Sequence, residues 1–266
     1  MMSKKWKAAL ACAVLGVSLA VAGCGEDSNK NTSAPKSGVP AVIRVGAETT
    51  FPPFEFTQDD KYVGFDIDLA EALINQMGSK MEFKSMGFDA LIPAVQSGQI
   101  DMIASGLDAT PEREKQVAFS DKYFTQNGYV IIVRKDNDSI KDWADLEGKQ
   151  VGAQVGTQQA RLAKEAKAGN VKQLDSNSQA FMELNAGTLD AVVIDQPVGM
   201  YYLKQGASKD LKMTGTSKSA SGMVIAMKKD NTELQAAVNK ALKEIRADGT
   251  YDKIFEKWFG KAPEGK

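Results

Sequence analysis

From Ala41 onward the chain alternates short apolar runs with stretches whose apolar residues recur at helical spacing. Val42 to Ala47 predicts a strand. Asp66 to Met77 predicts a helix, because Ile67, Ala70, Leu73, Ile74 and Met77 fall on one stripe. Met81 to Met86 predicts a second strand, Asp89 to Ser97 a helix stopped by Gly98, and Asp101 to Ala104 a third strand. This β-α-β-α-β order is the pattern of a mostly parallel sheet. Within 127–134, Tyr129-Val130-Ile131-Ile132-Val133 is apolar throughout, and Lys135 to Asp138 ends the run. A second alternation follows, with strands at 150–154, 171–174 and 190–194 and helices at 158–167, 179–185 and 196–205. Gly222 to Met227 is a further apolar strand. Leu234, Val238, Ala241, Leu242 and Ile245 then form a helical stripe ended by Gly249. Tyr251, Ile254, Phe255, Trp258 and Phe259 form a last stripe, which reads as core packing.

The two alternations share a rhythm. Gly98-Gln99-Ile100-Asp101-Met102 in one answers Gly187-Thr188-Leu189-Asp190-Ala191 in the other, at a period too long for a repeat array. The expectation is two similar α/β lobes: 41–124 with 222–260 as the first, and 125–221 as the second. With the terminal helices on the first lobe, the chain crosses between lobes near Lys122–Gly128 and again near Lys218–Gly222. Two crossings make a hinge, and the cleft between lobes is the default binding site.

Residues 1–23 read as a targeting leader. Lys4, Lys5 and Lys7 give a basic start, and the apolar run Ala8 to Ala22 is too short and too poorly flanked to span a membrane. It closes on Val21-Ala22-Gly23-Cys24, a small-residue site ending in cysteine that resembles the bacterial lipobox. That likeness implies cleavage and a lipid on Cys24; an ordinary secretory leader with an incidental cysteine is the alternative. Residues 24–40, rich in Ser, Asn, Lys, Gly and Pro, read as a flexible tether, and 261–266 as a tail.

Composition narrows the chemistry. The only other cysteine, Cys12, lies in the leader, so the mature fold has no disulfide available. The chain contains no histidine, which excludes histidine-dependent triads and histidine-ligated zinc. Losing the three leader lysines takes the net charge from −1 to −4, which argues against a nucleic-acid partner.

The chemistry-bearing stretch is Ser105-Gly106-Leu107-Asp108-Ala109-Thr110-Pro111-Glu112-Arg113. Thr110 suits an N-cap and Pro111 the first helical turn. A guanidinium and a short acid near a helix start suit a ligand with a carboxylate and an ammonium: Arg113 for the one, Asp108 for the other. After the first strand, Glu48 and Phe51 precede Pro52-Pro53 and then Phe54-Glu55-Phe56. Phe51 reads equally as a ligand wall or core, Glu48 as a partner for a polar tip or a solvated acid, and Phe56 as core. Phe88 is a second candidate wall. Gln154-Val155-Gly156-Thr157-Gln158 joins a strand to a helix without forming a phosphate-binding loop, so no nucleotide is implied. Asp195 before Gln196-Pro197 suits a ligand ammonium, N-capping of the next helix, or both.

Several blocks in order resemble the extracellular polar-amino-acid-binding receptors of ABC importers. They are Thr50-Phe51-Pro52-Pro53-Phe54-Glu55-Phe56, Gly64-Phe65-Asp66-Ile67-Asp68-Leu69, Phe88-Asp89-Ala90-Leu91-Ile92-Pro93-Ala94, Thr110-Pro111-Glu112-Arg113, Phe119-Ser120 and Asp248-Gly249-Thr250-Tyr251. The pattern is similar to glutamine- and lysine/arginine/ornithine-binding proteins. The resemblance implies a two-lobed periplasmic-binding-protein-like fold (type II) and a monomer without cofactor, metal or enzymatic activity. Its partners would be a free L-amino acid and a membrane permease. It further implies that Arg113 holds the α-carboxylate with the backbone at Gly106 and around Gln158. Asp195 would hold the α-ammonium with Ser105 or Asp108, Phe51 and Phe88 would sandwich the side chain, and Glu48 and Gln154 would read its tip. Two residues depart from the pattern. Asp108 stands where glutamine- and lysine-type relatives carry Thr or Ser, whereas arginine-type relatives resemble this chain there, and Glu48 replaces the more usual Asp. Arginine or another basic amino acid is therefore the favoured ligand, with glutamine next. A dehydratase on the same fold, using Glu48 as general acid, and a ligand-sensing module are the rival readings.

Overall fold

The structure, a computed structural model, describes residues 38–260. The leader, Cys24, most of the tether and the tail lie outside the described residues. β1 (Val42–Ala47) leads into a small meander of β2 (Thr50–Phe51), β3 (Glu55–Gln58) and β4 (Lys61–Val63). α1 (Phe65–Gln76), β5 (Lys80–Ser85), α2 (Phe88–Gln96), β6 (Met102–Ile103), the single turn α3 (Pro111–Glu114) and β7 (Val117–Phe124) follow. The chain continues through β8 (Gly128–Arg134), β9 (Gln150–Gln154), α4 (Gln158–Glu165), β10 (Asn170–Leu174), α5 (Asn177–Asn185), β11 (Ala191–Asp195), α6 (Gln196–Lys204) and β12 (Leu211–Ser219). It ends with β13 (Met223–Lys228), α7 (Thr232–Ala247) and α8 (Thr250–Phe259).

These elements make a two-lobed α/β fold built on two five-stranded sheets, in the orders β5-β1-β6-β13-β7 and β10-β9-β11-β8-β12. Each sheet is mixed rather than purely parallel. β5, β1 and β6 run parallel, as do β10, β9 and β11, while β13 and β8 run against their neighbours. The exceptions have one cause. β8 and β13 are the strands that receive the chain after it changes sheet, through 125–127 and 220–222. A strand that starts at the cleft must run opposite to strands that end there.

The same two strands explain the continuous apolar runs. Tyr129, Ile131 and Val133 of β8 enter one core cluster, while Val130 and Ile132 enter another on the opposite face. In β13, Val224 and Ala226 face one cluster and Met223, Ile225 and Met227 the other. Burial on both faces removes polar alternation. β7 and β12, by contrast, are sheet edges, and the half-exposed Leu-Lys-Met-Thr-Gly-Thr-Ser-Lys-Ser of β12 carries no clear period. Sequence patterning therefore missed both strands, as it missed the three-stranded meander.

The first lobe's core centres on Phe54, fully buried by Phe51, Phe65, Phe124 and Phe259 at centroid separations of 5.0–6.2 Å. Phe56, expected in the core, is half-buried and leans on Tyr201 of α6 and Trp258 of α8. Phe54→Ala should lower the unfolding free energy by about 3–5 kcal/mol, the range for deleting a buried phenyl ring. Urea unfolding measures it, and a loss under about 1 kcal/mol would contradict the packing described.

Candidate functional site

The carboxyl ends of β1, β6, β9 and β11 converge on the space between the two sheets, where open α/β folds bind ligands. There the lining groups leave a cavity of about 10 Å³, about the space of one water molecule, so a ligand has to part the lobes to enter. Glu48, Phe51, Phe88, Ser105, Gly106, Asp108 and Arg113 line it from the first lobe, and Gln154 and Gln158 from the second. Asp195 is not on the lining; it lies behind Gln159, which is.

Local sequence positions each group. The Thr110 hydroxyl accepts the Arg113 backbone N–H, fixing the one-turn helix that carries the arginine. Arg113 is only 6 % exposed and its guanidinium donates to the Asp108 carbonyl at 3.0 Å and, across the cleft, to the Gly156 carbonyl at 3.2 Å. It lies 5.3 Å from the Phe88 ring centroid, a cation–π contact. Burial lowers its pKa, opposed by Asp108 and Asp195 among its neighbours. A guanidinium has five N–H donors, so further donors remain for a ligand. Thr157 caps α4 by accepting from Ala160, which leaves the Gln158 and Gln159 amides without intrahelical partners at the helix start.

The acids occupy three distinct settings. Asp108 accepts from Asn127 Nδ2 at 2.9 Å and from the Tyr129 hydroxyl at 2.5 Å, tying the first lobe to residues at and just beyond the 125–127 link. Asp195 accepts from Gln159 Nε2 on Oδ2, whereas its buried Oδ1 has no partner. Burial, then Asp108, raises its carboxyl well above the usual range. Glu48 accepts from the Thr50 hydroxyl at 2.9 Å, and its carboxyl is raised by burial against hydrogen bonds from Thr50 and Gln154. An unpartnered buried oxygen carries a desolvation penalty of about 1–3 kcal/mol, which an incoming cationic donor would relieve.

Two expected roles are corrected. The Gly106 amide donates to Asp66 Oδ2 at 2.7 Å, inside the lobe, so it is committed and does not face a ligand carboxylate. Gly106 matters for space instead: at φ +53°, a Cβ there would stand 2.6 Å from the Phe51 ring. Asp195 precedes α6 but makes no side-chain cap, so its carboxylate is aimed elsewhere.

Two lining residues escaped sequence reasoning, Glu55 and Gln159, whereas Thr157 belongs to the strand-to-helix corner that the sequence singled out. Glu55 was findable, being an acid set between Phe54 and Phe56 in an apolar meander. Gln159 was not, because a glutamine on a face it shares with Ala160, Leu162 and Ala163 carries no signal of its own.

Residues 43–261 match the family described as bacterial extracellular solute-binding proteins, family 3. The ABC transporter arginine-binding protein 1 of Escherichia coli is 39 % identical over 82 % of this chain and 90 % of its own. The arginine-binding extracellular protein ArtP of Bacillus subtilis is 36 % identical over 96 % of this chain and 98 % of its own. An ancestral arginine-binding protein, solved bound to glutamine, is 50 % identical and superposes with a TM-score of 0.81 over 84 % of this chain and all of its own. Its arginine-bound form gives 0.79 over 83 % of this chain and 99 % of its own. A two-lobed fold with a polar cavity between its sheets, matched along nearly all its described length, places the chain in family 3 of the bacterial extracellular solute-binding proteins.

Proposed function

We propose that the protein captures a free L-amino acid, arginine foremost, between its lobes and delivers it to an ABC permease. One observation carries this reading: a buried guanidinium, Arg113, shares the cavity region with the acids Asp108, Glu48, Glu55 and Asp195, of which Glu55 and Asp195 each keep a buried oxygen without a partner. An α-carboxylate would take the remaining Arg113 donors and the amides that open α4. An α-ammonium would take Asp195 Oδ1, with Asp108 and Ser105. Phe51 and Phe88 would flank the aliphatic chain, and a guanidinium tip would meet Glu48 beside Gln154. Arginine brings one net positive charge to an acid-rich site, which glutamine does not. The arginine-binding relatives support the choice, and the glutamine complex of the ancestral protein keeps glutamine second.

In the same reading the links at 125–127 and 220–222 are a hinge, and closure on the ligand forms the face a permease reads. The lobes divide as 41–124 with 222–260, and 125–221. The leader motif ending at Cys24 supports a lipid anchor on the outer face of the cell membrane, with the protein acting as a monomer.

Calorimetric titration of the purified protein with a panel of amino acids tests this. Arginine should bind most tightly, and Arg113→Ala should weaken every amino acid by at least about 100-fold, the effect of losing paired charge-assisted bonds. Heat from none of the panel, together with turnover of a prephenate-like substrate, would favour the enzymatic rival. Glu48→Gln should weaken arginine by roughly tenfold or more while changing glutamine less than about threefold. Equal loss for both would remove Glu48 from the side-chain subsite. The pH dependence has a fixed sign. Burial raises the Asp195 carboxyl in the free protein, and a ligand ammonium favours its ionised form, so binding lowers its pKa and favours proton release. Arginine affinity should therefore rise from the ordinary aspartate pKa of about 3.9 towards neutrality, by up to about tenfold per pH unit. Asp195→Asn should flatten that slope, and affinity that falls over this range would contradict the assignment.

A further inference from the structure

At the cavity wall lies a second acid pair, one lining residue and one behind it, that the binding roles above do not use. Glu55, on β3, and Asp66, on α1, are 1 % and 0 % exposed. No Lys or Arg side chain bonds to either. Glu55 Oε1 accepts from the Ser105 hydroxyl at 2.8 Å. Asp66 Oδ2 accepts from the Gly106 amide at 2.7 Å and the Tyr123 hydroxyl at 2.5 Å. The other oxygen of each, Glu55 Oε2 and Asp66 Oδ1, is buried without a partner, and the backbone brings the two acids together: the Asp66 amide donates to the carbonyl of Phe54, next to Glu55, and the groups that donate to the two carboxyls, Ser105 and Gly106, are consecutive. Two buried carboxylates facing one another would pay both desolvation and repulsion. One proton between the two orphaned oxygens satisfies both.

We propose that Glu55 is a neutral carboxylic acid that shares its proton with Asp66, and that it thereby fixes the Ser105 hydroxyl as an acceptor facing the cavity. Asp66 is the ionised member because it already receives two donors. Glu55 has only the serine hydroxyl, and it faces the like charges of Asp66, Glu48 and Asp195. Burial and those charges push its carboxyl well above the usual range, while Asp66 rises to about 6. Tyr123, against Asp66, stays protonated as burial raises it further. The consequence runs through Ser105. Its proton is given to Glu55 and one lone pair takes the Glu48 amide at 3.0 Å, so what remains for the cavity is an acceptor only. Resting on the amino-acid reading, that acceptor selects the ammonium end of the ligand over an anion. Glu55 is a positioning residue in this scheme, acting through the serine.

Infrared spectroscopy of the intact protein, without ligand, tests the shared proton. One protonated-carboxyl stretch present at neutral pH should shift on deuteration, be lost in Glu55→Gln and remain in Asp195→Asn. The stability profile provides a second readout. A carboxyl with a raised folded pKa contributes stability that is lost as pH rises. The melting temperature of the parent should therefore fall relative to Glu55→Gln as pH rises above about 4.3, the unfolded glutamate value. For binding, Glu55→Ala should weaken arginine and glutamine alike by about tenfold, the loss of one oriented bond. Glu55→Gln, whose amide can accept from Ser105 and donate to Asp66, should recover most of that loss. No infrared band, or parallel stability profiles, overturns the proposal. So does a glutamine variant that binds no better than alanine. A protein that shows the band and the slope but binds no amino acid supports the shared proton and overturns the ligand reading instead.

Discussion

Burying the Arg113 guanidinium between two sheets is the constraint on which the cleft depends. A buried cation needs acceptors on every side, and here they come from both lobes: the Asp108 carbonyl from one and the Gly156 carbonyl from the other. The arginine is therefore a strut across the cleft, besides being the group proposed to meet the ligand. Its position follows from a four-residue helix held by one threonine cap, so a very short stretch of sequence controls the electrostatic centre of the molecule.

Around that cation the acids are graded by their partners. Asp108 is saturated by Asn127 and Tyr129, Asp195 is half satisfied by Gln159, and Glu48 has only neutral hydrogen-bond partners. The grading matters more than the number of acids. A carboxylate already holding two donors contributes field and shape, whereas one with an empty oxygen contributes a binding site. Tyr129 adds a coupling: it holds Asp108 and pairs directly with Asp195 across β8 and β11, so the two ammonium candidates are linked through one strand position.

Much of this was legible in the sequence because both lobes repeat one βαβ rhythm with strong apolar patterning. β1 and β9 coincide with their expected bounds. What was not legible has physical causes. Edge strands such as β12 pair on one side only and face solvent on part of their surface, so no hydrophobic period marks them. The reversal of β8 and β13 is a property of where the chain crosses, not of local pattern. At the site, residue types that bear chemistry stood out, but which polar atoms were already committed did not. The Gly106 amide looked available and belongs to Asp66; Asp195 looked like a helix cap and is not one. Those commitments are set by residues distant in sequence, such as the pairing of 66 with 106 and 159 with 195.

Asp195 and Glu55, each with an empty buried oxygen, then divide one physical problem. Desolvation raises both Asp195 and Glu55, and each can be neutralised by a proton or by a cation. What decides between them is the group facing the empty oxygen. Glu55 faces Asp66, an acid that no ligand can replace, so a proton is the only economical occupant and it stays. Asp195 is the acid to which the proposed function assigns a ligand ammonium, and an ammonium supplies both the charge and the donor that a proton would supply. Burial of the same residue type thus yields a fixed neutral scaffold at one position and an exchangeable charge at the other. The difference lies entirely in which neighbour the fold places opposite the second oxygen.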